Sequence, residues 1–164
     1  RTPIWFCYCY SSTLSDLGFF FNFFSCLSRT HVNYYSVGAN LDFALTANTY
    51  FNARADYRRR RYPSASASSK EYAASIGLFS RLGEGIEVNA LLSQQKTLHD
   101  SGNFLSQSPR QDTRRMGIFS IANKNWQVGG FYPELMYKHT FNNSNIDFYQ
   151  YRQNEYLLNF KKTF

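Results

Sequence analysis

The sequence predicts an all-β protein, an antiparallel up-and-down transmembrane β-barrel of which about seven strands are present as part of a larger barrel. Three observations predict it. From Tyr34 onward apolar and polar residues alternate with a period close to two. The aromatic share is 19% while mean hydropathy is only −0.46, the balance that alternating strands with aromatic belts produce. The connections alternate short and long, and each short turn falls on the side where the chain ends.

The strands follow in order. Tyr35, Val37, Ala39, Leu41, Phe43 and Leu45 share one face, opposite Ser36, Gly38, Asn40, Asp42 and Ala44. After a polar turn at Thr46–Thr49, Phe51, Ala53, Ala55 and Tyr57 alternate with Asn52, Arg54, Asp56 and Arg58. A Ser- and Ala-rich loop, Pro63–Lys70, leads to Tyr72, Ala74, Ile76 and Leu78, opposite Glu71, Ser75 and Gly77. Gly83 and Gly85 mark a tight turn. Ile86, Val88, Ala90 and Leu92 then alternate with Glu87, Asn89 and Ser93, ahead of a long polar loop, Lys96–Asp112.

The fifth strand, near Thr113–Ala122, is the least regular. Met116 and Ile118 compete with Phe119 and Ile121 for the apolar face, which predicts a bulge. A turn at Asn123–Val128 precedes Phe131, Pro133, Leu135, Tyr137 and Phe141, opposite Tyr132, Glu134, Lys138 and Thr140. Pro133 departs from strand chemistry because proline cannot donate to a ladder. The loop Asn142–Tyr151 leads to a last strand, Arg152–Phe164. Runs of this length approach the ~9–11 residues that cross a bilayer at a tilt, and exceed the ~5–6 of soluble strands.

Residues 1–33 read differently. They hold all three cysteines (Cys7, Cys9, Cys26), a block of Phe19, Phe20, Phe21, Phe23 and Phe24, and no sustained period. From Arg1 onward no secretion-signal pattern of basic, apolar and small-residue regions can be read. The expectation is therefore a segment at 1–33 that is either atypical, as one irregular strand plus a loop, or non-native, and the C-terminal part of a barrel at 34–164. Bacterial single-chain barrels have even counts, so seven strands leave two readings, an unreadable strand within 1–33 or part of a larger barrel, of which the second is preferred. Cys7 or Cys9 could pair with Cys26, and spacing does not choose between them.

Net charge is +7, concentrated in Arg58–Arg61 and the later loops. A solvated strand end explains such a run better than nucleic acid does, and on a barrel rim it would meet lipopolysaccharide phosphates. No apolar run reaches the ~18 residues of a membrane helix. His31, His99 and His139 are isolated, Ser101 lacks a nearby base, and Gly83-x-Gly85 precedes no helix, so neither enzyme activity nor a metal or cofactor is expected. The charges Arg54, Asp56, Arg58, Glu71, Arg81, Glu87, Glu134 and Lys138 are the candidate lumen-lining residues, satisfied by water and ion pairs or lining a polar conduit.

In the last strand Tyr156, Leu158, Phe160 and Phe164 share a face that ends on a terminal aromatic. This resembles the C-terminal signal read by the bacterial barrel-assembly machinery, with Lys162 as a departure. Further motifs carry a family resemblance: Arg114-Arg115-Met116-Gly117, the stretch Trp126-Gln127-Val128-Gly129-Gly130-Phe131-Tyr132-Pro133-Glu134-Leu135, Asn143-Ser144-Asn145, and Tyr149-Gln150-Tyr151-Arg152. Together they resemble the C-terminal barrel of the surface lipoprotein assembly modifiers. The resemblance spans roughly residues 34–164 and is specific from Arg114 onward.

The resemblance implies an outer-membrane location in a Gram-negative bacterium and a role in moving lipoproteins to the cell surface. It also implies a tetratricopeptide-like periplasmic domain and about twice this many strands, so that the chain is a C-terminal fragment. Implied partners are outer-membrane lipids and lipopolysaccharide, the barrel-assembly machinery and lipoprotein clients, with no nucleic acid. A porin-like or structural barrel is the alternative, and a soluble β-rich module using its arginines on acidic partners is a third reading.

Overall fold

The computed structural model describes residues 19–29, 33–63, 67–83, 85–102 and 107–162, the first segment for its backbone alone. Eight strands form one antiparallel sheet in strict chain order. They are β1 (Phe19–Arg29), β2 (Asn33–Thr46), β3 (Thr49–Arg61), β4 (Ser69–Leu82), β5 (Ile86–His99), β6 (Gln111–Asn123), β7 (Phe131–Ser144) and β8 (Tyr151–Lys162), with a 3-10 turn at Asp147–Tyr149 before β8. Each strand pairs with its sequence neighbours, and among the described residues β1 and β8 are not paired with each other. The fold is all-β and up-and-down, as the alternation predicts, and the sheet is open.

Four details differ from the sequence reading. A strand, β1, lies inside the segment where no period is visible, and it pairs with β2 from Phe19↔Phe43 to Arg29↔Asn33. Consecutive phenylalanines cannot alternate, so the main-chain ladder is invisible in the pattern. The strands also run further than the alternation does. Lys96–His99 belong to β5, because pairing continues to Leu98↔Gln111 although the side chains have turned polar.

The irregular fifth strand, β6, has no bulge: its register to β5 and β7 is continuous, with Met116 and Ile118 on the same face as Ser120 and Ala122. The register shift lies instead between Ala44 and Thr46, beside the β2–β3 turn. The short–long alternation fails at its last step. The β6–β7 connection is longer than a tight turn because it holds its own miniature hairpin, in which Val128 and Phe131 exchange hydrogen bonds of 2.9 and 3.1 Å. Gly129 (φ 62°) and Gly130 (φ 82°) form the two-residue turn, where positive φ at both positions matches the right-handed strand twist.

Pro133 is accommodated simply. It pairs with Phe160 on β8, while the ladder to β6 ends at Ala122↔Glu134, one residue short of it. The missing N–H therefore interrupts nothing on the β6 side.

Burial is inverted relative to a soluble domain. The buried residues are mainly polar: Glu71 is 6% exposed, Glu134 5% and Thr140 1%, and Ser36, Ser120, Asn142 and Ser144 join them. Large apolar side chains are exposed, with Leu92 at 60% and Leu135 at 59%. A one-layer sheet can shield one face only by curling around it. The polar face is therefore the inner face, and the apolar face looks outward.

Candidate functional site

The register assigns every strand side chain of β2–β8 to a face. All strand carboxylates in these seven strands point inward: Asp42, Asp56, Glu71, Glu87, Asp112, Glu134 and Glu155. Seven cations share that face: Arg54, Arg58, Arg60, Arg81, Arg114, Lys138 and Lys161. Every one of the candidate lumen-lining residues lies there. The sheet does not bring them to one point but divides them into separate clusters.

The largest cluster stands toward the long-loop end. Asp56 accepts from Arg54 (3.1 Å) and faces Arg58 (3.0 Å), Arg58 bonds Glu71 (2.8 Å), and Arg60 approaches Glu71 at 3.8 Å. This follows from strand geometry: residues two apart on β3 project together, and Arg58 pairs in register with Glu71 on β4. Nearer the short-turn end, Glu87 receives Lys124 at 2.7 Å and Arg81 at 3.3 Å. Glu134 receives Lys161 at 2.7 Å and Asn159 at 3.2 Å. Lys138 bonds Glu155 across the β7–β8 ladder at 2.8 Å. Asn40, Asp42 and Asn52 form a hydrogen-bonded triangle between β2 and β3.

Above the largest cluster the inner face widens into a polar pocket of about 540 Å³, lined by Arg60, Glu71, His99, Arg110, Asp112 and Arg114 among others. The Arg110 guanidinium lies 4.0 Å from the centre of the Tyr149 ring, and Asn142 donates to the Tyr149 carbonyl at 2.7 Å, which fastens the β7–β8 connection over the opening. Asp100, just beyond β5, is held by two hydrogen bonds from Arg59 (2.6 and 2.5 Å), and these keep its carboxyl below the ordinary range despite some burial. Among the described residues no group of His, Cys, Asp and Glu is arranged to hold a metal ion. What the inner face offers is a water-accessible lining of ion pairs and amides.

Sequence reasoning placed Asp42 on the polar side of its strand without counting it among the lumen-lining charges, and it missed Arg60, Asp112, Arg114, Glu155 and Lys161 on this face. Parity would have found Arg60 from Arg58 on β3, and Glu155 and Lys161 as odd steps from the outward Tyr156 and Phe160 on β8, whereas β6, with apolar residues on both faces, offered no phase for Asp112 and Arg114. Asp112 was lost because the loop was drawn through it.

On β8, Tyr156 (79% exposed), Leu158 and Phe160 lie together on the outer face. Lys162 shares that face, with its Nζ 5.7 Å from the centre of the Phe131 ring. Phe164 lies outside the described residues, as do the side chains of Cys7, Cys9, Cys26 and His31.

Comparison with protein families matches residues 23–164 to the model described as surface lipoprotein assembly modifier. The chain belongs to the surface lipoprotein assembly modifier family. The match opens within β1 and runs through the last residue, so it covers the inner face and the β6–β7 hairpin alike. Membership ties this assembly modifier sheet to the surface assembly of lipoproteins. Comparisons with curated proteins and with solved structures give no match.

Proposed function

We propose that the chain is part of the outer-membrane β-barrel of a factor that assists translocation of lipoproteins to the bacterial cell surface. The observation that carries this reading is the inverted sheet, apolar side chains outward and ion pairs inward. In hydrocarbon every backbone group needs a partner, which closed barrels supply and open soluble sheets do not. No helix of the described residues is long and apolar enough to cross a membrane, and on this reading the strands are the crossing elements.

Dimensions support it. On β2 the outward run Tyr35 to Leu45 spans ten residue steps, which at about 3.3 Å each and a tilt of about 40° gives about 25 Å, the height of a barrel's apolar band. Tyr35, Tyr57 and Tyr72 meet in sequence, edge-on and then tilted, at the long-loop edge of that band (centroids 6.4 and 5.1 Å). At the other edge stand Phe131, Phe160 and the exposed Trp126. Rings at both edges are where interfacial aromatics sit.

The activity is non-enzymatic: the inner face gives a polar wall along which a polypeptide can pass without entering lipid. Tyr156, Leu158, Phe160 and Phe164 serve the barrel-assembly machinery as the recognition strand, and the outer face meets lipid and lipopolysaccharide. Deleting the full-length gene should remove protease-accessible lipoprotein from intact cells, and unchanged surface exposure would end this reading. Steady ion conductance in planar bilayers with no client dependence would replace it with a porin.

A further inference from the structure

The two faces hold equal numbers of cations and opposite amounts of anion. The outward cations of β2–β8 are Arg59, Arg61, Lys70, Lys96, Arg115, Arg152 and Lys162, with no strand carboxylate beside them. All but Lys162 stand toward the long-loop end of their strands, so this surface is positive at one rim. Arg59 is satisfied by Asp100. Among the described residues Lys96 and Arg115 form no ion pair, although both are exposed. An uncompensated cation on the lipid side of a barrel is unfavourable unless the lipid supplies the anion.

The same surface has a trough. Ala39, Ala55 and Ala74 are register partners across β2, β3 and β4, and that row continues through Gln94 to Arg115. With Ala53 and Gly117 these small residues floor a groove of about 710 Å³, walled by Leu41, Ile76 and Leu92. A Cβ on Gly117 would already sit 3.4 Å from Leu92. Arg115 closes the end of the trough, its Nε donating to Gln94 at 3.1 Å, which leaves both terminal nitrogens of the guanidinium without a described partner. Eight residues separate Arg115 from the Asn123 end of β6, or about 20 Å of membrane depth on the barrel reading. That is the level of the outer leaflet's upper part.

We propose that this groove seats one phosphate-bearing lipid of the outer leaflet, lipid A in a Gram-negative cell, with phosphate on Arg115 and Lys96 and an acyl chain over the alanines. The proposal rests on the barrel reading. It selects lipid A over a lipoprotein anchor because a diacylglyceryl anchor has no phosphate to meet the guanidinium. A lipid held beside β2–β6 would fix the bilayer against the strands that carry the inner ion-pair clusters.

The test uses the full-length protein in phosphatidylcholine nanodiscs doped with lipid A, released into native mass spectrometry, with heat-modifiable migration as the check that each variant is a folded barrel. One lipid A should remain bound, and lipid A stripped of its phosphates should be lost. Arg115→Ala with Lys96→Ala should weaken retention about tenfold, as loss of charge-assisted hydrogen bonds does. Ala74→Leu should weaken it with the cations intact. Equal retention of the two lipid A forms, or retention unchanged in both variants, overturns the proposal while leaving the barrel standing. Preferential capture of a triacylated lipopeptide overturns the choice of occupant. A protein that never inserts into the bilayer overturns the barrel reading and the lipid seat together.

Discussion

The inner and outer faces of this sheet are built from the same strands and hold equal numbers of cations, yet they treat charge in opposite ways. Inside, Arg58, Arg81, Lys138 and Lys161 each meet a carboxylate, and the carboxylates themselves are largely buried. Outside, every cation but Lys162 stands toward one rim, and a band of Leu, Ile, Phe and Tyr separates them from Lys162 at the other. Charges on a face turned to water and ion partners can be scattered along its length. A face turned to hydrocarbon keeps its charges to the edge, where long side chains reach the headgroups.

The largest way to break that contrast is to move a charge into the apolar band. Leu92→Arg should destabilise the full-length protein in lipid vesicles by about 2–4 kcal/mol. Its neighbour Ser93→Arg, on the inner face, should change stability by about 0.5 kcal/mol. Denaturant titrations followed by tryptophan fluorescence compare the two directly, and similar costs would mean that the faces see the same medium.

Removing an inner carboxylate comes next. Glu134→Gln leaves Lys161 without its partner and should cost about 1–2 kcal/mol in the same titration. Lys96→Ala on the outer face removes no ion pair and should be within about 0.5 kcal/mol of wild type. If the outer change costs more, the inner network is not the part that holds the strands in place.

A smaller effect tests the hairpin that joins two of these strands. Gly130→Ala places a side chain at φ 82° and should cost about 1 kcal/mol. The smallest is a pH effect outside the sheet. Because Asp100 is held below the usual carboxylate range by Arg59, its contribution is complete above that range and fades as pH falls through the lowered value. Acid should therefore raise protease cleavage between residues 100 and 110, and Asp100→Asn should show the acid-level cleavage already at neutral pH.

The alternation in the sequence made β2 to β5 and β7 legible because one residue in two had to be apolar. It failed wherever another demand replaced that one. In β1 consecutive phenylalanines hide the period. In β6 Met116 and Ile118 face inward beside Ser120, so apolar residues occupy both faces and imitate a bulge. Above Leu92 the strand continues past the apolar band, and its outward residues Lys96 and Leu98 read as loop although they are paired. The candidate inner residues were visible as charges in phase with one another. That Glu155 and Lys161 in β8 are the partners of Lys138 and Glu134 was not visible, because which charges meet depends on register between strands, which a single sequence does not state.

Site-directed fluorophores at Leu41, Ile76, Leu92 and Leu158, read against others at Asn89, Ser93 and Gln153 in vesicles of brominated lipid, test the central claim most directly. Strong quenching is expected at the first four sites and little at the other three. Equal quenching of both sets, or quenching of neither, would contradict it.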